Sequence, residues 1–175
     1  MKKHNLCKLF PEITGDEFAT LVKDIKANGL RQPITTLDGK LLDGQNRYNA
    51  CIAADVEPRF VEFTGDDPQA FVVSQNMNRR HLEVGQRAMI AAELAGLLVG
   101  EKSGMSANLR SSETVESAAK SLRVSSRSVT TAKGIKKASP KLAEKVKSGK
   151  LTLNAAREKL HPFRKPLPKG GLCAD

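Results

Sequence analysis

The sequence has few of the residues that build metal sites or disulfide frameworks. Its three cysteines, Cys7, Cys51 and Cys173, form no CxxC pair, and of its three histidines only His4 lies close to a cysteine, three residues before Cys7. We therefore expect neither a metal site nor a disulfide framework. Cys51 falls on the apolar side of a predicted helix, so we expect it in the core.

Long apolar segments are also missing. The longest, residues 89–99, is short and contains Glu93, so we expect no membrane span. The basic first residues are followed by no apolar stretch of the signal-peptide type, so we expect a cytoplasmic protein. The basic half lacks the broad apolar face of an interfacial helix, so we expect no membrane partner.

Charge is distributed unevenly along the chain. Residues 1–100 carry 12 Lys and Arg against 13 Asp and Glu, whereas residues 101–175 carry 17 against 6. This split predicts two units with different partners, the second of them polyanionic. We expect an α+β domain over residues 1–100, a linker over 101–112, an all-α domain over 113–160 and a disordered tail over 161–175.

The first half shows helix and strand signals in alternation. Thr14 and Glu17 have capping-box spacing, and the helix that follows is predicted to end at Gly29. Asp38-Gly39 predicts a hairpin turn between strands at 33–37 and 40–42, and Asp43 is expected to cap a helix over 44–54. A strand at 58–63 and helices at 68–75 and 86–99 follow, the last expected to pack across the first domain.

The second half is predicted to be helical, with a helix-turn-helix at its start. Helices are expected at 115–122, 125–138, 140–147 and 152–160. The apolar spacing of the first two is typical of helix-turn-helix units. It is formed by Ala118, Ala119, Leu122, Val124, Val129 and Ala132. Arg123 occupies the turn position that glycine often takes, and Ser125 or Ser126 is expected to cap the second helix.

That second helix is expected to contact double-stranded DNA. We predict that Arg127, Ser128 and Thr131 face outward toward base edges and nearby phosphates, with Ser126 beside them. Lys133, Lys136 and Lys137 are expected to contact the phosphate backbone. A helical bundle with a solvated basic face is the alternative.

Three ordered motifs resemble the ParB/sulfiredoxin-like superfamily. They are Gly29-Leu30-Arg31-Gln32-Pro33-Ile34, Asp43-Gly44-Gln45-Asn46-Arg47-Tyr48-Asn49-Ala50 and Gln75-Asn76-Met77-Asn78-Arg79-Arg80. Downstream, Ser148-Gly149-Lys150-Leu151 and Ala155-Ala156-Arg157 continue the resemblance to ParB-type DNA-binding proteins. It covers roughly residues 6–160 and implies a ParB N-terminal domain followed by a helix-turn-helix.

In ParB the three motifs bind CTP, so the resemblance implies a nucleoside triphosphate, CTP or ATP with Mg²⁺, in the first domain. The residues implied to hold a nucleotide or another anion are Gly29, Gln32, Asp43, Gly44, Gln45, Asn46, Arg47, Asn76, Arg79 and Arg80. The turn into the helix at Gly44 also favours an anion on its own, because a helix N-terminus presents free N–H groups. Two of the three arginines of the ParB motif are missing here, which weakens charge-assisted bonding to a triphosphate.

Enzymatic alternatives follow from the same resemblance. Gln45 stands where sulfiredoxins have their catalytic cysteine, and an amide cannot be a thiolate nucleophile. Free-serine kinases of this superfamily use Asp-Gly-x-x-Arg with an upstream glutamate, which Asp43, Arg47 and either Glu12 or Glu17 match. Asp43 and Glu12 are thus the catalytic candidates, for a kinase, an NTPase or a metal-dependent nuclease.

The resemblance also implies roles and partners. We expect a protein acting in plasmid or chromosome partition, plasmid maintenance or transcriptional control, located on the nucleoid or on plasmids. A nucleotide in the first domain would then control DNA binding by the second. Self-association is expected because a monomer reads only a half-site, and a partition ATPase is a further expected partner. A ligand-free protein-interaction module is the third alternative.

The first prediction concerns salt. If about five cationic groups neutralise phosphates, the logarithm of DNA affinity should fall against the logarithm of salt concentration with a slope of roughly −4 to −5. A titration of labelled duplex at several salt concentrations measures this slope. A flat response would contradict electrostatic DNA binding.

Overall fold

The computed structural model describes residues 1–77, 82–101 and 107–160. The chain begins with a 3-10 turn at Asn5–Lys8. The first half then contains α1 (Asp16–Asn28), β1 (Ile34–Leu37), β2 (Lys40–Asp43), α2 (Gln45–Ala54), β3 (Phe60–Glu62) and α3 (Pro68–Met77). The second half contains α4 (Val84–Glu101), α5 (Ala107–Ser121), α6 (Ser126–Ala138), α7 (Pro140–Lys147) and α8 (Leu153–Leu160). The predicted α+β first half is confirmed.

The ends of α1 are set by two glycines. Gly29, at φ 72°, donates its N–H to the carbonyl of Ile25 at 2.8 Å, which confirms the predicted C-terminal glycine. At the other end the capping-box prediction is wrong. The residue at the cap is Gly15, at φ 63°, and it makes no side-chain cap bond, so Thr14 lies one residue too early.

The sheet forms around the predicted hairpin. Asp38 and Gly39 both take positive φ, 50° and 67°, as a two-residue hairpin turn requires. β1 pairs antiparallel with β2 and parallel with β3, so the strand order is β2-β1-β3. Lys3 forms an isolated bridge to Leu41 beside β2. The N-terminal segment thereby covers the outer edge of β2 and leaves β3 at the opposite edge.

Two clusters of buried apolar side chains hold the fold together. The smaller one lies between the sheet, α1 and α2, and includes Ile25, Ile34 and Cys51. Cys51 is completely buried there, as predicted. The larger cluster joins Leu9 and Phe10 of the N-terminal segment to side chains of α3 and of α4 to α8. Burial of this continuous core ties the two halves of the sequence together.

Helix α4 packs mainly against α5, α6 and α7. The expectation that α4 packs mainly against the first half is therefore wrong, because its main contacts are with helices of the second half. The reason lies in its sequence, because small residues such as Ala88, Ala91 and Ala95 are completely buried and let neighbouring helices approach closely. α4 is the central helix of the helical half.

The segment expected to be a linker is partly helical. Glu101 ends α4, and residues 107–112 belong to α5. Alanine, leucine and arginine, found at positions 107, 109 and 110, have high helix propensity. Their propensity outweighs that of the neighbouring serines, which favour a linker. Residues 102–106 and the predicted tail, 161–175, lie outside the described residues. The division into domains stays a prediction.

Helices α5 and α6 are joined by a tight turn. Ala118, Ala119, Leu122, Val129 and Ala132 are at most 3% exposed, as their spacing predicts, and Val124 is half-buried. Ser125 caps α6, since its Oγ accepts the N–H of Ser128 at 3.2 Å. In the turn itself Arg123 takes φ 52°, the left-handed conformation that favours glycine.

In residues 1–77, 82–101 and 107–160, no helix combines the length and the apolar character needed to cross a bilayer.

The second prediction follows from that strained turn. Replacing Arg123 by glycine should raise the free energy of unfolding by about 0.5–1 kcal/mol, because glycine tolerates positive φ without a Cβ clash. The substitution leaves in place the main-chain carbonyl of residue 123, which accepts a hydrogen bond from Arg87 at 3.1 Å. Denaturant unfolding of Arg123→Gly beside Arg123→Ala measures the effect. If Arg123→Ala stabilised the protein as much as Arg123→Gly, the positive φ at this position would not be the cause of the stabilisation.

Candidate functional site

A cleft opens where β2 runs into α2. The turn between them is Gly44, at φ 100°, a conformation that side chains rarely adopt. Gly44 is also the residue at the cap of α2, and no side chain caps this helix. The prediction that Asp43 caps α2 is therefore wrong, because Asp43 lies one residue before the cap. The first turn of α2 lines the cleft, and its N–H groups receive no side-chain bond from the cap residue.

The carboxylate of Asp43 instead joins α2 to α3. One oxygen accepts from Nη2 of Arg47 at 3.0 Å, and the other accepts from Nδ2 of Asn76 at 2.9 Å. The side chains of Asp43 and Arg47 are only 12% and 16% exposed. Such a shielded ion pair is screened much less by salt than a surface pair. Asp43 therefore fixes the position of Arg47.

Arg47 lies across Gly44. A Cβ at Gly44 would come within 2.9 Å of Nη2 of Arg47, so glycine is needed for contact as well as for φ. Nη1 of Arg47 donates to Oε1 of Gln32 at 2.8 Å. The first two motifs of the sequence thus meet at this guanidinium, whose charge is balanced by Asp43.

The opposite wall of the cleft is the N-terminal segment. Nε2 of Gln45 donates to the carboxylate of Glu12, which also pairs with Lys3 at 3.2 Å. Asn46 accepts the N–H of Ile13 through Oδ1 at 3.2 Å. These bonds hold the segment against the first turn of α2. Among the described residues, the cleft then contains the carboxylates of Glu12 and Asp43 beside the guanidinium of Arg47.

The cleft has a volume of about 410 Å³. Its lining residues are Cys7, Phe10, Pro11, Glu12, Ile13, Leu21, Asp43, Gly44, Gln45, Asn46, Arg47, Val72 and Asn76. The structure therefore brings together most of the residues that the motifs predicted. Gln32 joins them through Arg47, whereas Gly29 ends α1 outside the lining set. Arg79 and Arg80, together with His81, lie outside the described residues.

Sequence reasoning missed the apolar part of the cleft, formed by Cys7, Phe10, Leu21 and Val72. Cys7 and Phe10 come from a stretch without helix or strand periodicity. The available signal was Glu12, which was named for its charge alone. An apolar floor beneath a polar rim is typical of ligand sites.

The thiol of Cys7 lies in the lining of the cleft. Its Sγ lies 3.6 Å from Oε1 of Gln45, the residue that stands at the cysteine position of sulfiredoxins. Burial, together with the smaller effect of the negative charge of Asp43, raises the pKa of Cys7 to about 12. Burial also raises the pKa of Cys51. Cys7 is therefore a protonated thiol at neutral pH and a poor nucleophile.

Within the parts of the chain that the structure describes, no three or more His, Cys, Asp and Glu side chains are grouped so that they could hold a metal ion. The oxygens of Asp43 are engaged with Arg47 and Asn76. A nuclease role for Asp43 stays a prediction.

The outer face of α6 is a second candidate site. Ser126, Arg127, Thr130, Gly134 and Lys137 are exposed. They share one side of the helix because 130, 134 and 137 follow 126 at helical spacing. Arg127 is placed as predicted. Thr130 was missed, although the helical period would have indicated it.

Ser128 and Thr131 lie at the border of this face and are half-buried. The Oγ atoms of Ser128 and Ser125 are 2.9 Å apart, and the hydroxyl of Thr131 donates to the carbonyl of Arg127 at 2.9 Å. Their hydroxyls are thus engaged within the helix and its cap. Lys133 is also half-buried, at the other border.

Lys136 lies on the inner side of α6. It follows the buried Val129 by seven residues and the buried Ala132 by four, so it turns toward α4. Its ammonium is 3.7 Å from the carboxylate of Glu93, which Lys147 also contacts at 2.8 Å. The side chain of Lys136 is 51% exposed, and its predicted contact with the phosphate backbone stays a prediction.

Comparisons with known proteins were made at the level of sequence and of structure. No protein-family model matches the chain, and no curated protein matches it. A solved structure of a Pnob8-like ParB-N domain overlays with a TM-score of 0.57 at 15% identity, covering 90% of this chain and 74% of that one. The chain thus has a ParB-like fold, which confirms the predicted resemblance.

Two structures of C-terminally truncated ParB from Caulobacter crescentus are also similar. The complex with the centromeric parS site has a TM-score of 0.44 at 20% identity, covering 87% of this chain and 78% of that chain. The complex with CTP-gamma-S has a TM-score of 0.35 at 19% identity, covering 86% and 82%. Both TM-scores are below 0.5, so the fold assignment depends on the first structure.

Proposed function

We propose that this protein binds double-stranded DNA, with α5 and α6 forming a helix-turn-helix whose second helix enters the major groove. The observation that carries the proposal is the outer face of α6. It presents Arg127, Thr130 and Lys137, and the helix contains no acidic residue from Ser126 to Ala138. A surface that is cationic and rich in short hydroxyl side chains suits phosphates and base edges.

The packing beneath α6 supports this role. Val129, Ala132 and Ile135 are at most 2% exposed and seat the helix on the core. Arg87 of α4 donates to the carbonyl of Arg123 at 3.1 Å and so fixes the turn. A recognition helix held by its neighbours presents side chains in a defined position, which sequence-specific reading needs.

The exposed residues divide into two roles. We assign Arg127, Ser126 and Thr130 to base edges, because the N-terminal part of a recognition helix approaches the bases. Lys137 and the half-buried Lys133 lie further along and are assigned to phosphates. Ser128 and Thr131 are half-buried, whereas Thr130 is exposed, so we place Ser128 and Thr131 at the margin of the interface.

The cellular role that we propose is partition, plasmid maintenance or transcriptional control, on nucleoid or plasmid DNA in the cytoplasm. The observation that supports this role is the ParB-like fold of the chain. We also propose that the protein self-associates and that a partition ATPase is one of its partners. Two copies would allow the reading of a palindrome.

The third prediction tests the face of α6. After selection of bound duplexes from a random pool, Arg127→Ala should relax sequence preference and cost about 1–3 kcal/mol on the selected site. Lys137→Ala should weaken selected and random duplexes alike and reduce the salt slope by roughly 1. Lys136→Ala is the matched control, because its ammonium faces Glu93.

Equal losses for Lys136→Ala and Lys137→Ala would contradict the assignment of the outer face. Failure of the intact protein to bind any duplex at low ionic strength would overturn DNA binding as a whole.

We further propose that the cleft at α2 binds the phosphates of a nucleotide such as CTP or ATP and thereby controls DNA binding. The observation that favours this is the first turn of α2, which lines the cleft and receives no side-chain cap bond from Gly44. Arg47 would turn from Asp43 toward the phosphates. Mg²⁺ keeps several waters and takes one or two carboxylates in nucleotide sites, so Glu12 and Asp43 are the residues that would touch it.

The fourth prediction tests the cleft. CTP, ATP or ADP, with and without Mg²⁺, should raise the melting temperature of the intact protein, and Arg47→Ala should abolish the shift. Without Mg²⁺, Asp43→Asn should bind the nucleotide more tightly than the natural protein, because Arg47 no longer pairs with a carboxylate. Arg31→Ala is the control, since the Arg31 side chain is 68% exposed and pairs only at the surface.

If no nucleotide shifts the melting temperature, nucleotide binding in the cleft is rejected, and the alternative of a ligand-free protein-interaction module is favoured. Hydrolysis or phosphoryl transfer that disappears with Asp43→Asn would instead favour the enzymatic alternatives.

A further inference from the structure

The outer edge of β3 carries main-chain groups that no strand among the described residues uses. β3 contacts β1 through the carbonyl of Arg59, which accepts from Ile34 at 2.8 Å, and the N–H of Phe63, which donates to Thr36 at 2.8 Å. In a parallel pair, alternate residues point their N–H and carbonyl groups to the same side. Those of Phe60 and Glu62 therefore point away from β1. The other edge of the sheet differs, because the N-terminal segment bonds to both main-chain groups of Leu41.

Apolar side chains surround this edge. Ile52, Phe60 and Val61 are 61%, 46% and 47% exposed, which makes them three of the five exposed large apolar residues in the described chain. Phe60 lies on the α2 side of the sheet, where its ring centre is 6.2 Å from that of Tyr48. Val61, the next residue, points to the opposite side. Apolar surface is thus exposed on both faces of one open strand edge, a combination that marks interaction sites.

The segment around β3 is acidic, although the whole chain has a net charge of +10. Residues 55–67 contain five acidic residues and one basic residue. That basic residue, Arg59, is turned toward the protein, since its guanidinium donates to the carbonyls of Leu30 and Arg31. The acidic residues are all exposed. They are Asp55, Glu57, Glu62, Asp66 and Asp67.

We propose that the β3 edge binds an extended cationic peptide of another protein, which adds a strand to the sheet. The main-chain groups of Phe60 and Glu62 pair with the peptide backbone, as in other cases of strand addition. Apolar peptide side chains cover Ile52, Phe60 and Val61. Lysines or arginines on either side of the central strand lie near Glu57 and Asp66.

Repulsion between acidic residues argues against a second copy of this chain as the partner that binds the β3 edge. Two β3 strands paired antiparallel through their outward groups would place Phe60 opposite Glu62 of the copy. The acidic residues that flank β3, among them Glu57 and Asp66, would then be brought close to those of the copy. Like charges placed opposite each other destabilise strand pairs. A cationic partner turns the same repulsion into attraction.

The test uses the full chain and two labelled peptides. One is Lys-Lys-Val-Thr-Val-Thr-Val-Lys-Lys, and the other has glutamate in place of every lysine. Fluorescence polarisation at low ionic strength should show binding of the lysine peptide about tenfold tighter than that of the glutamate peptide. Glu57→Lys combined with Asp66→Lys should reverse this preference.

A second comparison tests the strand edge itself. Phe60→Pro removes an outward N–H and leaves the bonds to β1 in place, so it should abolish binding. Phe60→Leu keeps the N–H and should bind within a few-fold of the natural protein. Should Phe60→Pro fail to fold, N-methylation of alternate residues of the lysine peptide removes the same backbone bonding from the other partner, and one of the two methylation patterns should abolish binding.

Several results would overturn the proposal. They are equal binding of both peptides, no binding of either, or binding that survives both N-methylation patterns. Self-association of the natural chain in sedimentation, lost in Phe60→Pro and kept in Phe60→Leu, would assign the edge to a second copy instead.

Discussion

The carboxylate of Asp43 is the contact on which the first half of the structure depends. It receives Arg47 from α2 on one oxygen and Asn76 from α3 on the other, so one side chain at the end of β2 positions two helices. The arrangement requires Gly44, because Arg47 crosses the space that any Cβ there would fill. The cleft at the N-terminus of α2 is therefore preformed. Its cation is held in place but is also neutralised, so an anion must compete with Asp43 for Arg47.

A second polar centre links the two halves. The carboxylate of Glu93, 20% exposed, contacts Lys147 of α7 and Lys136 of α6. Lys147 also donates to the carbonyl of Lys8, just before the wall of the cleft. The cleft wall and the inner side of α6 thus share one network of charged groups. Removing one member would leave a shielded charge without its partner, which costs more than the loss of a surface pair.

Much of this architecture could be predicted from the sequence where local chemistry decides it. Asp38-Gly39 specified the hairpin, Gly29 ended α1, and the apolar spacing around Leu122 gave the packing of α5 on α6. The ordered motifs also placed Asp43, Arg47 and Asn76 in one site. Contacts between distant segments were not accessible in this way. The ion pair of Lys136 depends on Glu93 of another helix, and the partners of α4 depend on close packing of alanines that have no distinctive pattern.

The bond from Lys147 to Lys8 joins residues 139 positions apart in the chain. Leu9 and Phe10 belong to the same core as α4 to α8, so they too find their partners late in synthesis. A ribosome releases the N-terminal segment first, yet that segment cannot dock fully until α7 has emerged. The docking of the N-terminal segment that forms the cleft wall is therefore completed only after α7 has been synthesised.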